Sequence, residues 1–347
     1  MRAFLAMLHR PWRKVTHLEA DAKDGAGSVH SAASLDSEVG CLDRLKDLLP
    51  TSASVEHSCR SFLAELRPAF RPIASDIYCA DTGWEELAAA SLLHNGYCVL
   101  RAVDGGLVNP ALCKVLRGRS ASLLDEMLAR TRNCDIDAAQ DAVHFREFWS
   151  RSPEEQRYDM LVIDGALETD AEVWHSMFGL VDSWARPVLL AAGLDSKFNA
   201  DKDNSRVDGV GCVVSLPGSP EQPFHVDGEE PGMVNAFLPL VRTTATNGPT
   251  ELQPGSHLDR YRRSLCVAPE LDAGNLLLFD WRLVHRGCAN RSGAQRPVGY
   301  VTYVPAGATG AGYKNGVMSI YDIAYKSDEQ EQQHQNDLDC QENCQQS

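Results

Sequence analysis

Two histidines and an aspartate in the last part of the chain have the spacing of a metal-binding face. They stand in Gln222-Pro223-Phe224-His225-Val226-Asp227 and, after 57 intervening residues, at His285. Two imidazoles and one carboxylate hold Fe(II) on three positions and leave three open for a co-substrate and oxygen. The two-residue step from His225 to Asp227 suits a strand end, where alternate side chains point the same way. His-x-Asp alone is a common pattern, and a second copy occurs at His257-Leu258-Asp259. Span decides between the two. In a double-stranded β-helix several strands separate the first pair of ligands from the distal histidine. The 57 residues after Asp227 accommodate about four strands with their turns, whereas the 25 between Asp259 and His285 do not. His257 also lies in Pro254-Gly255-Ser256-His257, which reads as a turn. His225, Asp227 and His285 are therefore the candidate metal ligands and the candidate catalytic centre.

A cation follows at a telling distance. Arg296 stands eleven residues after His285, on a run where Arg296, Val298, Tyr300 and Thr302 share one strand face. His285 itself ends an alternating run in which Leu277, Phe279, Trp281 and Leu283 share its face. An arginine turned into an apolar barrel is costly unless it meets an anion, and a guanidinium fork binds a carboxylate through two parallel hydrogen bonds. A dicarboxylate co-substrate would supply that anion.

The elements needed to position these groups are legible around them. Helical spacing marks Trp84–His94, stopped by Gly96, then Pro110–Arg130 and Ala171–Ala192. The last of these puts Val173, Met177, Leu180, Val181, Trp184, Val188 and Leu189 on one face. Tyr97–Ala102 reads as a strand, and short β-rich runs follow at Val210–Leu216, Met233–Leu240, Leu265–Ala268, Leu276–His285 and Val298–Val304. Helices first and many short strands later predict a mainly β protein with supporting helices, a β-barrel or sandwich, and the metal-ligand spacing fits the double-stranded β-helix (jelly-roll, cupin-like) form of it. The expected organisation is a basic start and linker over 1–40, an N-terminal extension over 41–83 with a short helix at Cys41–Leu49, the oxygenase-type domain over 84–326 and a disordered acidic, Gln-rich tail over 327–347.

Composition narrows the function classes. Thirty-three Lys and Arg against 48 Asp and Glu leave a net charge of −15 over 347 residues, which argues against a nucleic-acid partner. No run of 18 apolar residues occurs, so no membrane span is expected. Eleven cysteines are scattered without a C-x-x-C, which reads as reduced intracellular thiols rather than a zinc site. The first 17 residues carry four basic and no acidic side chains, and Arg10–Leu18 is an imperfect match to a peroxisomal address. A cytoplasmic or organellar location is expected.

Taken together, these motifs resemble the phytanoyl-CoA dioxygenase-like family of Fe(II)/2-oxoglutarate oxygenases. The resemblance is specific over Val210–Val304 and looser over Trp84–Gly193. It rests on the Gln-Pro-Phe-His-x-Asp approach, on Asn247-Gly-Pro leading to Pro254-Gly-Ser-His257, on Gly274-Asn-Leu-Leu-Leu-Phe-Asp280, and on arginine eleven past the distal histidine. It implies that His225, Asp227 and His285 bind Fe(II) and that Arg296 holds the distal carboxylate of 2-oxoglutarate. Asn235 and Gln222 are implied near the co-substrate, with O2 consumed and ascorbate supportive. It further implies hydroxylation of a small molecule with release of succinate and CO2. One departure stands out: the hydroxyl residue common two places after the arginine is Val298 here, which points to Tyr300 or Thr302 instead. The carboxylate at Asp227 favours oxygen transfer over halogenation, because halogenating relatives carry a small residue there. The alternatives are a non-catalytic barrel and a cupin-like metal-binding protein independent of 2-oxoglutarate. No basic cluster stands out to grip a CoA phosphate: Arg242, Arg260, Arg262 and Arg263 lie near the segment and read as a solvated charged turn, the alternative being such a grip.

Overall fold

Period-two alternation through the second half of the chain yields strands, and the wider helical spacing before it yields the helices that cover them. The computed structural model describes residues 70–133, 136–137, 141–150, 153–162, 171–194, 207–259, 264–305 and 318–321. The expectations for 1–40, for Cys41–Leu49, for Arg260, Arg262 and Arg263 and for the tail 327–347 lie outside the described residues.

The elements run β1 (Asp76–Tyr78), α1 (Trp84–Asn95), β2 (Tyr97–Arg101), α2 (Pro110–Asn133), β3 (Val143–His144), β4 (Phe148–Ser150), β5 (Arg157–Leu161), α3 (Ala171–Ala191) and β6 (Val207–Ser215). They continue as β7 (Val234–Pro239), β8 (Thr250–Leu252), β9 (Leu276–Asp280), β10 (His285–Gly287) and β11 (Arg296–Tyr303). Helix boundaries follow local chemistry. α1 stops at Gly96, whose φ of 85° is strained for other residues and whose N–H donates to Leu92 O. α2 opens on proline, and the Asn109 side chain caps it by accepting from Ala111 N at 2.7 Å.

Nine strands form one sheet in the order β1-β2-β9-β7-β11-β6-β5-β4-β3, and β10 pairs with β8 in a second. β1 and β2 are parallel; the other paired strands run antiparallel. Single bridges extend the small sheet, from His225 to His285 on one side and from Leu252 to Val267 on the other. From β6 onward the chain goes from the large sheet to His225 in the small one, back to β7, across to β8 and Val267, back to β9, across to β10 and back to β11. That alternation is the winding of a double-stranded β-helix, as the sequence pattern predicts.

The central strands of the large sheet, β9, β7 and β11, are largely buried on both faces. Val210, Cys212 and Val214 of β6, Ala236 and Leu238 of β7, and Val301 and Tyr303 of β11 pack under the helices. From α3, Trp174, Met177, Val181, Ala185, Val188 and Leu189 meet them. Leu180, expected on that face, is exposed, and Trp174 takes a place in its stead. The opposite face looks into the barrel. Tyr97, Val99, Leu277, Phe279 and Leu283 fill one part of it with Leu252 and Leu271, and a polar cleft occupies another.

The run Leu276–His285 is not one strand. The chain leaves the large sheet after Asp280, whose carboxylate accepts from Arg282 N, Nε and Nη2 at 2.7–2.9 Å, and Leu283 N donates to Asp280 O. This turn carries the chain to the small sheet at His285. Trp281 and Leu283 stay buried through the turn, so the apolar alternation hides it. The strand expected at Leu265–Ala268 reduces to the bridge at Val267. Among the described residues no helix is long and apolar enough to cross a membrane.

A buried acid ties a later segment to the sheet. Glu147, 1% exposed, accepts from Arg146 Nε, Ser319 Oγ and Ile320 N at 2.8–3.1 Å. Glu147→Ala should lower the unfolding free energy by about 3 kcal/mol, since it leaves buried donors without an acceptor. A urea titration of both proteins checks this.

Candidate metal centre

The small sheet brings the two histidines together through the backbone. His225 and His285 exchange both N–H···O bonds at 2.9 Å, and Asp227 N donates to Trp281 O at 3.1 Å. Their side chains then converge. His225 Nε2 lies 3.8 Å from Asp227 Oδ1, His285 Nε2 lies 3.7 Å from Asp227 Oδ2, and one ligand atom from each residue falls within 4.8 Å of the others. Both Nε2 gaps are too long for hydrogen bonds. Each imidazole has its Nδ1 2.9 Å from the carbonyl two residues before it, Pro223 for His225 and Leu283 for His285. A carbonyl can only accept, so Nδ1 carries a proton, and in the neutral ring this leaves Nε2 as the atom that could donate a lone pair to a metal in the shared space. The donor set suits a divalent transition metal, and two neutral imidazoles with one carboxylate leave room for further ligands.

Neighbouring side chains hold these three in place. The Phe279 ring is tilted against His285 with centroids 4.8 Å apart and meets Phe237 edge-on at 4.8 Å. Asn235 Nδ2 donates to Asp227 Oδ2 at 2.7 Å, and its own Oδ1 accepts from Thr302 Oγ1 at 2.7 Å. Asn235 and Thr302 are direct register partners on β7 and β11. Asn235 thus fixes the carboxylate as well as lining the cleft. Asn235→Ala is expected to weaken iron binding by about 10–100-fold, the usual consequence of losing a partner that orients a ligand. Competition against a chelator of known affinity reads this directly.

Gln222 also borders the cleft, but its side chain is engaged: Oε1 accepts from Gly287 N at 3.1 Å while its backbone N–H donates to Gly287 O at 2.9 Å. Trp281 is both core and cleft wall. It packs with Met233 and Val304, its indole lies against Gly228 where a Cβ would collide, and its Nε1 is buried without a partner. His257 stands apart from the metal group. It is buried in a turn with Nε2 3.2 Å from Leu93 O, and burial pushes its pKa below the usual histidine range.

Arg296, Val298, Tyr300 and Thr302 all face the cleft, as the alternation predicts. Arg296 is 4% exposed and donates from Nη2 to Ser215 Oγ at 2.7 Å, while its Nε is buried without a partner. Burial and the neighbouring Arg157 lower its pKa to about 9, which still leaves it charged at neutral pH. Neither hydroxyl suggested by the sequence is available to support it. Thr302 is committed to Asn235, and Tyr300 Oη donates to Asp159 Oδ1 at 2.7 Å, crossing Gly211, where no Cβ would fit. Ser215 supplies the hydroxyl instead.

Arg157 escaped the sequence analysis. It opens Arg-Tyr-Asp-Met-Leu, an alternating run whose polar members Arg157 and Asp159 line the cleft. That alternation was the available signal, but a polar face turned to an internal cleft has the same pattern as one turned to solvent.

Residues 92–298, more than half of the chain, match the family described as phytanoyl-CoA dioxygenase (PhyH). A curated protein from Aspergillus hancockii named dioxygenase hkm4 is 35% identical over 92 residues, which are 22% of this chain and 30% of that protein. The matched stretch therefore spans less than a third of that relative. Among solved structures, AviO1 from Streptomyces viridochromogenes Tue57 is 18% identical with a TM-score of 0.45, covering 65% of this chain and 96% of that one. The epimerase SnoN, solved with Fe3+, alpha ketoglutarate and nogalamycin RO, is 16% identical with a TM-score of 0.46, covering 65% of this chain and 85% of that one.

Proposed function

The chain belongs to the phytanoyl-CoA dioxygenase family, and from that premise we propose that it is an Fe(II)- and 2-oxoglutarate-dependent dioxygenase that hydroxylates a small molecule. One observation carries the reading. The candidate ligands His225, Asp227 and His285 open onto the same cleft as a buried arginine that has no acidic partner among the described residues.

The residues divide the work as follows. His225, Asp227 and His285 present three donors on one side of the metal position and leave the cleft side free. Arg296 holds the distal carboxylate of 2-oxoglutarate, with a charge-assisted fork in a site shielded from water. Asn235 keeps Asp227 in the rotamer that faces both imidazoles. Phe237, Val298 and Trp281 give the cleft apolar walls that limit water around the reacting groups. Iron, when bound, supplies the activation of oxygen, coupled to conversion of 2-oxoglutarate into succinate and CO2. The carboxylate at Asp227, where halogenating relatives carry a small residue, favours oxygen transfer over halogenation.

The test is a succinate-release assay with Fe(II), 2-oxoglutarate, O2 and ascorbate across a panel of small molecules. Slow succinate formation without substrate, stimulated by one panel member that gains a hydroxyl, is the expected result. Absence of succinate under every condition, with iron bound, would sink the reading.

A further inference from the structure

Beyond the metal group and Arg296 the cleft continues over β4 and β5. Trp149 on β4, Asp159 on β5, Val213 on β6 and Val298 on β11 are register partners in one row across four adjacent strands, and all four line the cleft. His144 on β3 extends the row and stacks on Trp149 with ring centroids 5.3 Å apart. The indole is therefore backed by an imidazole on its β3 side and turns its other face toward β5, where Asp159 stands. Tyr300 Oη donates to Asp159 Oδ1 at 2.7 Å and so fixes the plane of that carboxylate. Glu155, half-buried, joins the cleft wall from the single helical turn before β5, and no hydrogen bond or ion pair engages it among the described residues.

Charge decides what this half of the cleft can take. Three carboxylates line it, Asp227, Glu155 and Asp159, against two guanidinium groups, Arg157 and Arg296. Fe(II) and 2-oxoglutarate bring equal and opposite charges, so loading both leaves the carboxylates one negative charge in excess. Arg157 gives Nε to Ser215 Oγ at 2.8 Å and Nη2 to the carbonyls of Pro220 and Cys288 at 3.3 and 3.1 Å. An aromatic face beside a carboxylate recognises a cation: the ring quadrupole attracts a charge placed over it, and the carboxylate accepts short charge-assisted bonds from N–H groups. A carboxylate or phosphate brought to the same place meets two acids and is repelled.

We infer that the small molecule oxidised in this cleft is a cationic amine, its ammonium group held by Asp159 and Glu155 against the face of Trp149. The inference rests on the function proposed above and names the substrate class for it. Val298 and Phe237, on strands further along the same sheet, offer apolar surface to the carbon skeleton on its way to the metal group. The ammonium end is thereby anchored away from the iron, and the carbon presented for oxidation is set by the distance between the two.

The experiment uses the full chain loaded with Fe(II) and 2-oxoglutarate in the absence of oxygen. Three probes of one shape are titrated by calorimetry: cyclohexylammonium, neutral cyclohexanol and anionic cyclohexanecarboxylate. The wild type should bind the amine about 10-fold or more tighter than the alcohol, the scale of a desolvated cation over an aromatic face, and the carboxylate weakest. Glu155→Gln and Asp159→Asn keep the shape and remove one charge each, and the asparagine oxygen can still accept from Tyr300 Oη. Each should bring the amine down toward the alcohol. Glu155→Gln decides the matter if Asp159→Asn fails to fold, because no bond of the fold uses Glu155. Equal binding of amine and alcohol by the wild type, binding of neither, or a preference for the amine that survives both substitutions would overturn the inference. The loading step keeps the two readings apart: 2-oxoglutarate bound without a preference for the amine overturns the inference alone, whereas failure to bind 2-oxoglutarate at all overturns the proposed function.

Discussion

Asp227→Ala should abolish succinate release and strip the protein of iron. Asp227 supplies the one anionic donor of the three and is the residue both imidazoles face. The loss in iron affinity should exceed the roughly 10–100-fold that follows removal of a partner merely orienting a ligand. Asp227→Asn separates charge from shape. Its amide oxygen can still accept from Asn235 and keep the loop in place, yet it offers the metal a neutral donor. Metal content by elemental analysis after dialysis, with succinate release measured on the same samples, reads both effects. Iron retained at wild-type stoichiometry in the alanine variant would remove Asp227 from the ligand set.

Arg296→Ala should behave in the opposite way toward iron. The metal position does not involve this side chain, so iron content should stay at the wild-type level while the KM for 2-oxoglutarate rises. Truncating one member of a buried hydrogen-bonded charge pair costs about 2–5 kcal/mol, which corresponds to a loss of about 30-fold to more than 1,000-fold in affinity. The same substitution separates the proposed function from a metalloenzyme that uses no 2-oxoglutarate, whose activity would be unaffected. Thermal denaturation gives an independent reading. Saturating 2-oxoglutarate at about 100 times its Kd should stabilise the wild type by about 2.7 kcal/mol, and that stabilisation should be largely absent in the variant.

Much of this site is legible in the sequence because it is built on strands. A period of two places Arg296, Val298, Tyr300 and Thr302 on one face wherever the strand begins, and the cleft confirms the face. The number of residues between Asp227 and His285 selects the His-x-Asp that the fold brings beside His285, because it measures how many strands the chain must complete before returning. Other parts leave no such trace. β1, β3 and β4 have only two or three residues each, too few for alternation to stand out. The turn after Asp280 is concealed because its side chains remain buried while the chain changes sheets. β5 was missed for a different reason. Its polar residues are compensated by strands far away in sequence, Ser215 and Tyr300 among them, and only the sheet order β11-β6-β5 brings these together. Pairings of that kind are a property of topology, which local pattern does not carry.

The reciprocal backbone pairing of His225 with His285 has a thermodynamic consequence. A metal that gathers its ligands from a mobile chain must offset the conformational entropy lost in ordering them, and its affinity is reduced accordingly. Here the two imidazoles are set opposite each other by main-chain bonds, and their ring orientations are set by two carbonyls. That ordering is supplied by the folding of the sheet itself. Loading and loss of the metal can then proceed on an intact barrel, with most of the binding enthalpy retained as affinity instead of being spent on reshaping the chain.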